Sequence, residues 1–171
     1  MTKVYEPRKG PKWVAEATAA IVRLGASAAY RAPLSSPHCG VWTPAGLVTR
    51  RFHFTGKGRD VTIDVTLHAK MMVALLKLLR KCPSFQVGGS LASYRSYQTQ
   101  YNLWYAYTHH LPGSHRAASP CYGYHRCGRA VDGFYVTDKE RAAFLSVRVR
   151  GLRIYDLGDI DPPHFTLGVR G

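Results

Sequence analysis

The stretch that decides the fold runs from residue 50 to residue 81, RRFHFTGKGRDVTIDVTLHAKMMVALLKLLRK. Residues 50–54 and 60–67 alternate in character around the sequence Gly-Lys-Gly at 56–58, which is typical of two antiparallel strands joined by a tight turn. Residues 69–81 place apolar side chains at helical spacing and predict a helix with one buried stripe. That stripe consists of Met72, Leu75, Leu76 and Leu79. A hairpin followed by a core helix indicates an α+β fold.

The rest of the chain continues this mixture of short strands and separate helices. We predict helices over residues 13–29, 97–109 and 137–148, and strands from residue 85, in the second half of residues 125–136 and over residues 152–155. Residues 31–47 are rich in Pro and Gly and predict irregular chain. Together these elements predict one α+β domain, a small antiparallel sheet with flanking helices. In this domain, residues 1–65 (arm, helix and hairpin) form a cap on a core of residues 66–171.

The chain is strongly basic, with 24 Lys and Arg against 10 Asp and Glu and a formal net charge of +14. Such a surface attracts polyanions, either nucleic acid or the anionic polymers of a bacterial envelope. We expect no specific nucleic-acid binding, because no known motif is found and the aromatic residues of 97–105 are predicted to be helix core. Glu16 and Arg23 interrupt the apolar run of residues 13–30. That run therefore predicts an amphipathic helix, and neither an export signal nor a membrane span.

Two histidines and a carboxylate form the candidate catalytic site. His125 and Asp132 suit a turn that enters a strand, because a helix would separate residues seven positions apart by about 10 Å. With His164, whose backbone two preceding prolines fix, they make up a known zinc-ligand set that leaves a position open for water. Asp161 is placed to take a proton from that water, and Arg95 to stabilise the developing oxyanion. Spacing alone leaves open that these histidines are structural.

Three segments carry a resemblance to known peptidases: SYRSYQTQ at 93–100, HRCGRAVD at 125–132 and DPPHF at 161–165. In order and spacing they resemble the motifs of the zinc peptidases that include D-alanyl-D-alanine carboxypeptidases (VanY-like) and L-alanyl-D-glutamate endopeptidases. The resemblance implies a DD-peptidase/hedgehog-like zinc peptidase fold and Zn²⁺ as cofactor. The implied metal ligands are His125, Asp132 and His164, the implied catalytic residues Asp161 and Arg95, and the implied substrate-binding residues Tyr94, Ser96 and Gln100.

The third motif bears on the scissile bond. Asp161 and Pro163 stand where carboxypeptidase members usually have Glu and Trp. The motif therefore resembles the endopeptidase branch of phage endolysins, which cuts between L-Ala and D-Glu in the peptidoglycan stem. A D,D-carboxypeptidase of the same family, or a phage virion or tail structural component on this fold, is the alternative. Gly123 departs from the family's Ser, and an intervening loop makes His115 a rival to His125.

Partners and location follow from the resemblance and the charge. We expect the chain to act on peptidoglycan stem peptides and to bind anionic cell-wall polymers through its basic surface. A virion-borne enzyme would also contact phage virion proteins. Without a signal peptide, we expect synthesis in the host cytoplasm and action at the bacterial cell wall, after release at lysis or as part of a virion.

Overall fold

The computed structural model describes residues 4–5, 46–119, 123–150, 152–158, 161 and 163–168. These residues form three α-helices and seven strands, which are arranged in two sheets. The predicted helix of residues 13–29, and all but the end of the predicted irregular stretch 31–47, lie outside the described residues.

The predicted hairpin is confirmed and forms the first sheet. Strand β2 (Leu47–Gly56) pairs antiparallel with β3 (Arg59–His68) along its whole length, and β1 (Val4–Tyr5) runs parallel beside β2. Both turn residues have positive φ, 50° at Lys57 and 76° at Gly58. A two-residue turn with this backbone matches the twist of the strands it joins. The apolar side chains that the hairpin buries are Phe52, Phe54, Val65 and Leu67, and the last residue of β3, His68, is buried as well.

Helix α1 (Ala69–Lys81) begins directly after β3 and matches the predicted helix residue for residue. The side chain of His68 caps it by accepting a hydrogen bond from the backbone N–H of Lys70. The four predicted stripe residues are buried. Five more are buried as well: Ala69, Met71, Val73, Ala74 and Leu78. The buried surface is wider than one stripe because α1 packs against the hairpin on one side and the second sheet on the other.

The prediction of a strand from residue 85 is wrong, and the side chain of Arg59 binds two of the backbone carbonyls that a longer strand would use for pairing. The Arg59 guanidinium donates to Gln86 Oε1 at 2.7 Å, to the Gly88 carbonyl at 3.0 Å and to the Val87 carbonyl. The segment is left with one isolated bridge, between Val87 and Gly133.

Helix α2 (Tyr97–Thr108) confirms the predicted helix, but the prediction that its aromatic side chains belong to the core is wrong. Of its 12 residues only Gln100 is buried. Tyr101 is 37% exposed, Tyr105 42% and Tyr107 38%. The tyrosines at four-residue spacing stack on one another along the helix surface and do not pack beneath it.

The second sheet contains the later elements of the chain. Its strands are β4 (Ala130–Asp132), β5 (Arg148–Val149), β6 (Leu152–Asp156) and β7 (His164–Gly168). All neighbours are antiparallel, in the spatial order β4-β7-β6-β5. Helix α3 (Asp138–Leu145) connects β4 to β5 and is shorter than the predicted helix 137–148. Thr137 and Glu140 start it with a reciprocal capping box.

Helix α1 joins the two sheets into one core, since it contacts β2 and β3 of the first sheet, β5 and β7 of the second, and α3. The predicted α+β class is confirmed, but the structure has two small sheets where one was predicted, and β1 makes the first of them mixed because it runs parallel to β2. The predicted boundary between residues 65 and 66 falls inside β3, whose residues on both sides of it pair with β2. Among the residues that the structure describes, no helix is both long and apolar enough to cross a membrane.

Candidate metal centre

Three side chains from distant parts of the chain bring one ligand atom each to a common point. His125 Nε2 lies 3.2 Å from Asp132 Oδ1 and 3.2 Å from His164 Nδ1, and the last two atoms are 2.9 Å apart. Tetrahedral zinc with bonds of about 2.0–2.1 Å separates its ligand atoms by about 3.3 Å. The three predicted ligands therefore have the spacing that one small metal ion requires.

A tight turn positions His125. The residue lies on a 3₁₀ helix, Tyr124–Cys127, which ends at Gly128 in left-handed backbone with φ 62°. A Cβ at Gly128 would lie 2.5 Å from the backbone nitrogen of His68 and 2.6 Å from Leu47 Cδ2. The Gly128 carbonyl accepts the His68 N–H at 2.9 Å. The predicted turn before β4 is thus confirmed, and its bend at Gly128 docks the His125 segment onto the junction of β3 and α1.

Strand pairing brings the other two ligands together. Asp132 at the end of β4 and His164 at the start of β7 are direct partners in the antiparallel register. Side chains at such positions have Cβ atoms about 4.5–5.5 Å apart. The Gly88 N–H donates to the Asp132 carbonyl at 2.9 Å, and the Gly133 N–H to the Pro163 carbonyl at 2.8 Å. Backbone bonds from both flanks therefore fix the strand ends that carry the two ligands.

The two oxygens of the Asp132 carboxylate face different partners, one the ligand cluster and the other Arg95. Its Oδ1 faces the two imidazoles, while its Oδ2 accepts from Arg95 Nη2 at 2.8 Å. Burial raises the pKa of Asp132, but the interactions with His125 and His164 outweigh burial and hold that pKa well below its ordinary value. Burial lowers the pKa of His125. At neutral pH the site therefore holds an ionised Asp132 and a neutral His125, the forms that bind a metal ion.

The orientation of His125 supports a cation at this point. Its Nδ1 is 2.7 Å from the Ser93 carbonyl oxygen. A carbonyl only accepts hydrogen bonds, so Nδ1 carries the proton and Nε2 of the neutral ring presents a lone pair. That lone pair points toward the Asp132 carboxylate and His164 Nδ1. When His164 is neutral, these three groups share at most one proton. A metal ion satisfies all three acceptors at once, and the donor set of two nitrogens and one oxygen fits zinc.

The cluster opens onto a cleft of about 990 Å³. Asp161 lines the cleft with its Oδ2 3.9 Å from His164 Nδ1, and its side chain is 42% exposed. Burial, followed by the charge of Asp132, raises the pKa of Asp161. The predicted base thus stands beside the cluster without belonging to it. A half-exposed carboxylate there is within reach of a water molecule that also faces the cluster.

Arg95 and Gln100 also line the cleft, and both have structural contacts. The Arg95 guanidinium donates to Asp132, to the Leu91 carbonyl at 2.5 Å and to Gln100 Oε1 at 3.4 Å. Gln100 Nε2 donates to the Ala118 carbonyl at 2.7 Å and so holds the loop at the cleft rim. Arg95 therefore orients the Asp132 carboxylate, and its predicted action on an oxyanion stays a prediction.

Tyr94 and Ser96 do not line this cleft. Ser96 is the N-cap of α2, where its Oγ accepts the Thr99 N–H at 3.1 Å. The backbone N–H of Tyr94 donates to the Thr66 carbonyl at 2.8 Å and ties this segment to β3. Both residues position the Arg95 segment, and their predicted contacts with substrate stay predictions.

The rival ligand His115 lines the cleft but is not a member of the ligand cluster, where His125 stands. Cys127, next to the cluster in sequence, is a free thiol whose pKa burial raises, and it is not a member either. A Cβ at Gly123 would meet the Gln100 side chain at an ordinary 3.5 Å. The site therefore has room for the Ser that the resembling family carries at Gly123.

Sequence reasoning missed two residues of the site. Ser93 fixes the His125 ring through its backbone carbonyl, so its residue type gives no signal. Tyr124 lines the cleft with its ring centroid 6.3 Å from that of His164. Its position next to His125 in the sequence is the one signal that would have found it.

No protein-family model matches the chain, and no curated protein and no solved structure matches it. The resemblance to zinc peptidases, and the specific peptidase fold that it implies, therefore stay predictions from the three motifs.

Proposed function

We propose that this chain is a zinc-dependent peptidase that cleaves amide bonds in peptidoglycan stem peptides. The observation that carries the proposal is the convergence of His125 Nε2, Asp132 Oδ1 and His164 Nδ1, 2.9–3.2 Å from one another, beside a cleft. Two imidazoles and one carboxylate hold a catalytic zinc and leave a position for water or substrate. The substrate class is supported by the three sequence motifs in which the cluster and its neighbours lie.

The contacts of each residue support a role in the proposed reaction. When bound, Zn²⁺ supplies a Lewis acid that polarises the scissile carbonyl and lowers the pKa of water. Asp161 takes the proton of the attacking water at a carboxylate oxygen and returns it to the leaving amine. Arg95 keeps Oδ1 of Asp132 turned toward the histidines. It also lines the cleft, where its charge would stabilise an oxyanion.

Within the stem peptide, we propose the bond between L-Ala and D-Glu as the scissile bond. The support is the sequence around Asp161 and Pro163, which resembles the endopeptidase branch. Removal of a terminal D-Ala is the alternative reaction of the same site. Digestion of defined muropeptides, with products read by mass spectrometry, separates the two. A new amino terminus at D-Glu (or D-isoGlu) supports the endopeptidase, and loss of D-Ala alone supports the carboxypeptidase.

Metal analysis and activity together test the proposal. We expect about one zinc per chain in the purified protein. His125→Ala should lose zinc and activity together, while Asp161→Asn should keep zinc and lose turnover. His115→Ala, a histidine on the same cleft but outside the cluster, is the matched control and should keep zinc. Failure to bind zinc after reconstitution, or loss of zinc in His115→Ala and not in His125→Ala, would overturn the mechanism.

A further inference from the structure

One charged side chain of the cleft wall has no role in the proposed reaction. The wall contains two aspartates and two arginines, which are Asp132, Asp161, Arg95 and Arg116. Asp132 is bonded to Arg95, and Asp161 faces His164. No carboxylate among the residues that the structure describes forms an ion pair with Arg116, whose side chain is exposed. One guanidinium of the wall is therefore available to bind a negative charge on a molecule that enters the cleft.

Arg116 belongs to a wall segment whose backbone is held by hydrogen bonds. Residues 112–118 line the cleft as one continuous stretch. On one side of Arg116, the Ser114 N–H closes a turn with a 3.0 Å bond to the carbonyl three residues before it. On the other side, Gln100 Nε2 donates to the Ala118 carbonyl at 2.7 Å and ties the segment to α2. The backbone at residue 116 is therefore anchored from both sides, so that the guanidinium has a defined base in the wall.

The size of the cleft and the chemistry of arginine indicate the kind of anion that Arg116 would bind. The cleft of about 990 Å³ is at the upper end of the range for ligand sites, roughly 300–1,000 Å³, and so has room for a peptide of several residues. A guanidinium binds a carboxylate or a phosphate through two parallel hydrogen bonds. The proposed substrate, a stem peptide, carries carboxylates and no phosphate.

We infer that Arg116 is a specificity residue that binds a free carboxylate of the substrate, an inference that rests on the proposed function. A stem peptide offers two such groups, the α-carboxylate of its γ-linked D-Glu and the carboxylate of its terminal D-Ala. The first adjoins the proposed scissile bond, and we expect it to be the group bound. Arg116 lies between the segments 93–100 and 125–132, outside the three motifs that resemble known peptidases. The enzyme therefore prefers stem peptides whose D-Glu is free over those in which it is a carboxamide.

Calorimetric titration with uncleaved peptides measures this preference directly. The protein is the full chain with Asp161→Asn, loaded with zinc, so that binding is observed without turnover. Three synthetic peptides of sequence L-Ala-γ-D-Glu-L-Lys-D-Ala-D-Ala are compared. One has both carboxylates free, one has a carboxamide at D-Glu, and one has a carboxamide at the C-terminus. We expect the D-Glu carboxamide to bind about five- to tenfold more weakly than the free peptide, because only the ion pair with the guanidinium is lost.

Substitutions in the same background assign the preference to one side chain. Arg116→Gln should weaken binding of the free peptide alone and reduce the preference to less than about twofold. Arg116→Lys should keep part of the preference, because the charge stays while the two-pronged geometry is lost. The matched control is Arg80→Gln, which removes one positive charge from an exposed position at the end of α1. It should leave the preference unchanged, whereas a general attraction to a basic chain would fall equally in both glutamine variants.

Equal binding of the three peptides, or a preference that survives Arg116→Gln, would overturn the inference. A preference that Arg116→Gln removes but that concerns the C-terminal carboxylate supports it, and favours the carboxypeptidase reaction over the endopeptidase one. The failures of the two proposals are distinguishable, because the titrations are repeated on the protein as purified. A preference dependent on Arg116 in a chain that holds no zinc and cleaves nothing would sink the peptidase alone. Zinc-dependent cleavage that ignores both carboxamides would sink the role of Arg116 alone.

Discussion

The ion pair between Lys57 and Glu140 is expected to stabilise the loop that follows Asp132. Lys57, in the hairpin turn, lies with its Nζ 2.6 Å from Glu140 Oε2 and donates to the carbonyls of Phe134 at 3.0 Å and Tyr135 at 2.9 Å. The side chain of Glu140 is 1% exposed and that of Lys57 17%. One ammonium therefore neutralises a buried carboxylate and satisfies two carbonyls of the loop.

The stability that the ion pair contributes depends on the burial of Glu140. Lys57→Met keeps the unbranched apolar stem of the side chain and leaves the Glu140 carboxylate buried without its counter-ion. Breaking a buried pair in this way costs about 3–5 kcal/mol, which is roughly 6–20 °C in the melting temperature of a domain of this size. We expect the lower end, because Ser84 and Thr137 still donate to Glu140. Adding Glu140→Gln should recover part of the loss, since a neutral amide needs no counter-ion.

Urea unfolding followed by circular dichroism measures both effects. The matched control is Lys81→Met, an exposed lysine that donates to Ser146 Oγ at 3.0 Å and should cost less than about 1 kcal/mol. Equal losses for the two lysines, or additive losses for Lys57→Met and Glu140→Gln, would refute the reasoning.

The same pair predicts a dependence on pH. Burial raises the pKa of Glu140, but hydrogen bonds from Lys57, Thr137 and Ser84 outweigh burial and lower it. Its stabilising contribution is therefore complete above the ordinary carboxyl pKa and disappears as pH falls through the lowered value. A Glu140→Gln protein should lack this part of the acid unfolding curve. If Glu140→Gln loses stability at low pH in the same way as the parent protein, the role given to Glu140 is contradicted.

Three further predictions concern the metal centre. Gly128→Ala combines left-handed backbone with a blocked Cβ and should lower the free energy of unfolding by about 2–5 kcal/mol, measured by urea unfolding. Arg95→Gln frees the Asp132 carboxylate to turn and should weaken zinc binding about 10–100-fold in a chelator competition. Because burial lowers the pKa of His125, the metal-free protein should lose stability as pH falls below the ordinary histidine pKa, and His125→Gln should lack that loss in pH-dependent melts.

The elements that the sequence predicts well are those that local patterns determine. The 69–81 helix has a strong apolar repeat and a strand directly before it, and it came out residue for residue. The segment after α1 was predicted as a strand because its residue types favour one. The carbonyls of Val87 and Gly88 are bound by Arg59, a residue 28 to 29 positions earlier, and no local pattern contains that contact.

The error on α2 has a different cause. Aromatic residues at four-residue spacing predict one buried helix face, but spacing does not say whether another element covers that face. In the structure this face stacks on itself, with Tyr101 and Tyr105 exposed. The expectation of no specific nucleic-acid binding relied partly on burial of these rings. It now rests only on the lack of a known nucleic-acid motif and stays a prediction.

In the candidate site, the ligand residues could be predicted from their residue types, but the contacts that hold them in place could not. His125, Asp132 and His164 could be chosen from the sequence because zinc ligands are restricted to a few residue types. The groups that hold these ligands in place could not be chosen in this way, because many of them are backbone atoms such as the Ser93 carbonyl. Arg95 was predicted as a site residue and lies beside the cluster, but its bond to Asp132 depends on how the 93–100 segment meets β4.

The hairpin of residues 47–68 supports the candidate metal centre through hydrogen bonds at its two ends. At one end, the His68 N–H donates to the Gly128 carbonyl and holds the turn that carries His125. At the other end, Lys57 binds the carbonyls of the loop after Asp132. Two of the three ligands are therefore attached to the hairpin, His125 through Gly128 and Asp132 through the loop that follows it. A substitution in the hairpin turn should therefore weaken metal binding at the candidate centre, although the turn contacts no ligand.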